Sequence, residues 1–97
     1  MTIVDRIGPE PVYEQLAEEC CELSQAALKM ARYLRGVNPP AKDLEELKKD
    51  LIEEVTDVKI CLVCLGLSAD EELAETKFAR WHMRLDLAQW GSSDEGY

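Results

Sequence analysis

Three stretches of this chain carry apolar residues in steps of three and four, and nowhere do apolar and polar residues alternate as they do along a half-buried strand. A pattern of period 3.6 buries one side of a helix and cannot bury one side of a strand. The fold class is therefore all-α, an antiparallel helical bundle of three to four helices per chain. With 97 residues there is room for one domain, 1–97.

The first stretch opens at Gly8-Pro9-Glu10-Pro11, where proline is tolerated because the first N–H groups of a helix lack partners anyway. Leu16, Cys20, Leu23, Ala27, Met30 and Leu34 form its stripe, and Gly36 with Asn38-Pro39-Pro40 stops it, which predicts a helix over about 10–35. The second, over about 43–66, opens with an Asp43 to Glu46 capping box and carries Leu44, Leu47, Leu51, Val55, Val58, Leu62 and Leu65. Ile52, Ile60, Val63, Cys64 and Leu67 give it a second apolar surface. One layer of three helices cannot cover both sides, so the bundle is expected to be completed by oligomerisation, as a homodimer or homotetramer. The third helix, about 69–90, starts from a Ser68 to Glu71 capping box and lines up Ala74, Phe78, Trp81, Leu85 and Ala88. The tail 91–97 is expected to be mobile, and the first seven residues are too few to classify.

A net charge of −9 repels phosphate backbones and anionic lipid, which sets aside nucleic acid polymers and membranes as partners. The longest uncharged run, Ile60 to Ala69, is about half the roughly 20 residues that a spanning helix needs. A soluble, cytoplasmic protein is expected, with Cys20, Cys21, Cys61 and Cys64 reduced.

The residues that point to chemistry are two matched acidic groups, Glu18-Glu19-Cys20-Cys21-Glu22 on the first helix and Glu53-Glu54-Val55-Thr56-Asp57 on the second. At about 100° per residue, Glu19 and Glu22 lie about 60° apart on one face, and Glu54 and Asp57 repeat that geometry. Each pair is expected on the flank of its apolar stripe. If a short connection packs the two helices antiparallel, four carboxylates meet beside the core. Like charges so gathered are unfavourable without a counter-ion, and Mg²⁺, or Mn²⁺, is the hard cation that suits an all-oxygen set.

The Glu19-x-x-Glu22 and Glu54-x-x-Asp57 pairs, with the flanking words Leu16-Ala17-Glu18-Glu19-Cys20-Cys21-Glu22-Leu23 and Leu51-Ile52-Glu53-Glu54-Val55-Thr56-Asp57-Val58, resemble the signature of the MazG-like all-α nucleoside triphosphate pyrophosphohydrolases. The likeness runs from about Gly8 to Arg84. Residues 23–53, which separate the two pairs, make an interval longer than is usual for that family, so the register of the two helices is left open. The resemblance implies Mg²⁺-dependent cleavage of an NTP or dNTP between the α and β phosphates, giving NMP and pyrophosphate. It also implies that Glu19, Glu22, Glu54 and Asp57 hold the metal. A triphosphate is itself anionic, so an acidic protein needs metal to bring the two together.

Around that set, Glu18 and Glu53 are the candidates to position or deprotonate the attacking water. Lys29 and Tyr33 continue the Glu19 strip toward a triphosphate or sugar, and Lys77, Arg80 and Arg84 form a basic strip beside Trp81, the aromatic that could stack on a base. Cys61-x-x-Cys64 sits inside an apolar helix without a second spaced pair and reads as packing, not zinc. No glycine-rich phosphate loop and no Ser-His-Asp arrangement is present in the sequence. The alternative function is a non-catalytic acidic helical module for oligomerisation or partner binding.

Overall fold

The computed structural model describes residues 1–89, and the tail expected to be mobile lies outside them. Four helices follow one another: α1 (Ile3–Ile7), α2 (Pro9–Arg35), α3 (Leu44–Leu65) and α4 (Glu71–Gln89). The described residues include no strand. None of these helices is long and apolar enough to cross a membrane.

The chain divides into two compact units, 1–67 and the segment from Ser68 onward. In the first, the residues left unclassified by the sequence form α1. Thr2 accepts from the Asp5 N–H and the Asp5 carboxylate accepts from the Thr2 N–H, both at 3.0 Å, so a capping box starts a helix of only 5 residues. Gly8 then turns the chain at φ 84°, ψ 165°, a conformation open to glycine and costly to other residues, and α2 begins at once with Pro9.

α2 and α3 pack against each other as the principal contact of the unit, with α1 touching both. Joined by the short connection 36–43, they pack as an antiparallel pair, with Glu19 of α2 beside Glu54 and Asp57 of α3. The α2 C-terminus is closed by Gly36 in the left-handed region, its N–H donating to the Arg32 and Tyr33 carbonyls. The expected capping box opens α3, with Asp43 and Glu46 each accepting from the other's backbone N–H.

The buried seam differs in phase from the expected stripe. On α2 it follows Val12, Leu16, Glu19, Leu23, Ala26, Met30 and Tyr33, and on α3 Leu44, Leu47, Leu51, Glu54, Val58, Cys61 and Leu65. Both lines alternate steps of three and four, the 3.5-residue repeat by which two helices keep one side toward each other. Cys20, Ala27 and Leu34, assigned to the stripe from sequence, are exposed, Leu34 at 70%. Val55 on α3 is likewise half exposed. Among the described residues only Val12, Leu47 and Cys61 are buried, and Ile52, Ile60 and Val63 leave the expected second apolar surface of α3 open.

In the second unit, α4 starts at Glu71, two residues later than expected, because Asp70 and not Ser68 caps it: the Leu73 N–H donates to Asp70 Oδ1 at 2.9 Å. Phe78 and Trp81, expected on a packed face, are 62% and 52% exposed.

Candidate metal centre

The phase of the seam places acidic side chains where apolar ones would ordinarily lie. Glu19 on α2 and Glu54 on α3 both occupy seam positions, not the flank expected for them, and Asp57 lies one turn beyond Glu54. Antiparallel packing brings Glu19 across to the other two, and each residue offers one carboxylate oxygen within 4.8 Å of the others. The register left open by the long interval is thus fixed with Glu19 opposite Glu54 and Asp57.

Glu19 is held in place from its own helix: Gln15 Nε2, one turn earlier, donates to Glu19 Oε1 at 2.7 Å. Glu54 has no such support. Its Oε2 is buried and has no hydrogen-bond partner, although buried carboxylate oxygens are ordinarily paired. Burial pushes the Glu54 carboxyl above its usual value, and the negative charges of Asp57, Glu22, Glu19 and Glu53 push it the same way.

These observations fit a divalent cation. Three carboxylate oxygens drawn from two helices to within 4.8 Å of one another form a donor set that a hard divalent cation such as Mg²⁺ would take. The donor set is all carboxylate oxygen, and an orphaned oxygen points at the need for a cation. Glu19, Glu54 and Asp57 are the residues that would hold it.

Glu22, the fourth expected ligand, is not gathered with them. It is exposed and lines an adjoining groove, where its charge still reaches Glu54. Of the two candidates for handling water, Glu53 is exposed and lines the same groove as Glu54, whereas Glu18 is exposed and does not line it.

The groove has a volume of about 290 Å³ and is walled by Glu22, Gln25, Ala26 and Lys29 of α2, Leu47, Asp50, Glu53 and Glu54 of α3, and Lys42 from the connection between them. Lys29, expected to reach a triphosphate or sugar, is among these residues. Tyr33 is half-buried at the end of the α2 seam and does not line the groove. Lys77, Arg80, Trp81 and Arg84 line a separate groove along α4 with Ala74 and Phe78.

Sequence reasoning missed Gln15, Gln25, Lys42 and Asp50. Gln15 had a legible signal, four residues before Glu19. Lys42 had none, since its position depends on the path of the loop.

Cys61 lies just beyond this centre. Burial raises its thiol pKa first of all, and Glu19, Cys64, Asp57 and Cys20 add to the shift. Cys61 is buried in the α3 seam. Comparison with family models, curated proteins and solved structures finds no match for this chain.

Proposed function

We propose that the chain is a Mg²⁺-dependent nucleoside triphosphate pyrophosphohydrolase that cleaves an NTP or dNTP between the α and β phosphates to NMP and pyrophosphate. The observation that carries this reading is the Glu19, Glu54 and Asp57 trio, one member of which, Glu54, has a buried oxygen without a partner. The likeness of the Glu19-x-x-Glu22 and Glu54-x-x-Asp57 words to the MazG-like signature adds to it.

When bound, Mg²⁺ supplies charge neutralisation of the phosphates and lowers the pKa of a coordinated water. Everything else is the work of the chain. Glu19 and Asp57 come from opposite helices, so one ligand set depends on the pairing of α2 with α3. Glu22 lines the groove at the edge of the trio and completes the acidic set from there. Glu53, beside Glu54 on the groove wall, is the better placed carboxylate to take a proton from water, and Glu18 is set aside for that role. Lys29 offers an ammonium to a phosphate oxygen within the groove. Lys77, Arg80 and Arg84, with Trp81, line a groove of their own along α4, with the cations and aromatic surface that a nucleotide would take.

The protein works as a homodimer or homotetramer in this reading. Three buried residues among those described make a small core, and the open α3 surface of Ile52, Ile60 and Val63 supplies the apolar area for a second copy. We place it in the cytoplasm, where the free thiols of Cys20, Cys21, Cys61 and Cys64 stay reduced.

A chromatographic product assay over the common NTPs and dNTPs, with Mg²⁺ and with EDTA, tests the activity. Monophosphate and pyrophosphate formed only with metal is the expected result. Diphosphate and phosphate would keep a hydrolase but overturn α–β cleavage. No product from any nucleotide would favour the non-catalytic oligomerisation module, for which the open α3 surface is the supporting feature.

A further inference from the structure

The loop from Gly36 to Asp43 carries the one groove residue that belongs to no helix. Its two ends are fixed: the Arg32 guanidinium donates from Nε to the Asn38 carbonyl at 3.2 Å, and Asp43 caps α3. Lys42, immediately before that cap, therefore enters the groove from a defined position. Its Nζ meets Asp50 Oδ2 at 2.7 Å, and the two side chains remain 49% and 39% exposed. The Asp50 hydrogen bond and charge hold the Lys42 ammonium protonated, with smaller help from Glu46 and Glu53.

A surface pair of this kind contributes little stability, because water solvates both partners almost as well when they part. Asp50 lines the groove too, and so do Lys29, Glu53 and Glu54. The groove thus has an acidic end at Glu54 and two ammonium groups, one of them already paired to a carboxylate that water can take over. Such a mixture of charge does not suit a simple cation, for which two lysines are repulsive, nor a free anion, for which four carboxylates are repulsive. It suits an anion that arrives with a divalent cation attached. At about 290 Å³ the groove lies just below the roughly 300–1,000 Å³ range of ligand pockets, enough for a polyphosphate and not for a whole nucleotide.

We propose that Lys42 is the anion-receiving residue of this site, its ammonium exchanging Asp50 for a phosphate of a metal-bound polyphosphate seated in the groove. Asp50 is the resting partner that holds Lys42 in reach and returns to water when the ligand enters. The proposal rests on the metal centre and on the polyphosphate reading of it, and it adds the residue by which the loop matches the ligand's charge.

Isothermal titration separates the two levels. Mn²⁺ alone is titrated first, then inorganic triphosphate at saturating Mn²⁺, into wild type, Lys42→Ala, Lys42→Arg and Asp50→Asn. The expected result is that Lys42→Ala leaves Mn²⁺ affinity unchanged or slightly tighter and weakens triphosphate by ~10- to 100-fold, the loss of one charge-assisted hydrogen bond. Lys42→Arg restores most of that loss, and Asp50→Asn tightens triphosphate because no resting partner competes. Lys42 is exposed on a loop, and equal circular dichroism melts of the variants would show the fold intact. If Mn²⁺ binds and Lys42→Ala takes triphosphate like wild type, or Asp50→Asn weakens it as Lys42→Ala does, the role of Lys42 is overturned and the metal centre stands. If wild type takes up no Mn²⁺, or takes it up and ignores triphosphate, the reading of the site fails and the proposal fails with it.

Discussion

A carboxylate oxygen buried without a partner, as Glu54 Oε2 is, makes the metal-free protein carry an uncompensated charge. Glu54→Gln removes that charge and a ligand together. The variant is expected to lose turnover by at least ~100-fold in the product assay while its metal-free form melts no lower than wild type. Wild type should gain roughly 2.7 kcal/mol in melts at Mg²⁺ a hundred times its dissociation constant, and the variant should lose most of that gain. The pH dependence follows from the direction of the shift. The folded pKa of Glu54 is raised above its ordinary 4.5, so its contribution to stability is present below 4.5 and lost as pH rises through the folded value. In EDTA, wild type should therefore gain stability relative to Glu54→Gln on acidification through that window, and Mg²⁺ affinity should fall over the same range as protons compete for the ligand. Melts of both proteins across pH check the sign, and a wild type that loses ground to the variant in acid would contradict it. The identity of the acidic residues was legible in the sequence because two E-x-x-E/D words stand on two helices. The separation of Glu22 from the other three was not, since whether position 19 or position 22 turns inward depends on the partner helix.

At the level of elements, helix ends were written locally and helix phase was not. Asp43, Gly36 and the prolines act on their own neighbours, so α2 and α3 begin and end within a residue or so of their expected bounds. The Thr2 to Asp5 box is just as local but precedes only 5 helical residues, too short for a period to show. Phase is set by packing: an isolated helix repeats every 3.6 residues, and a pair that stays in contact is read every 3.5, so a stripe drawn on one helix drifts off the true seam. Two substitutions test the corrected seam. Leu47→Ala, at a side chain only 2% exposed, should cost about 2–5 kcal/mol in denaturant unfolding, whereas Leu34→Ala, on the expected stripe but open to solvent, should stay within about 0.5 kcal/mol. Gly8→Ala should cost about 1–3 kcal/mol, because φ 84° with ψ 165° is strained for any residue with a Cβ, whatever the space around it.

For the molecule as a whole, the open surface of α3 carries the consequence. If Ile52, Ile60 and Val63 meet a second copy, melting temperature should rise with protein concentration, and Ile52→Glu with Val63→Glu should shift sedimentation to the monomer and remove that dependence. A wild type that sediments as a monomer at all concentrations would overturn the assembly. The sequence by itself determined the all-helical class, the stops between helices, the acidic words and the excess of apolar residues on α3, because each is fixed by neighbours a few positions apart. Only the tertiary structure decided that Glu19 faces Glu54 and Asp57, that Glu53 and not Glu18 reaches the groove, and that a loop lysine stands opposite them. Those facts depend on the register of two helices joined by a connection, and register is chosen by the summed packing of the whole seam, which no local word in the chain can state.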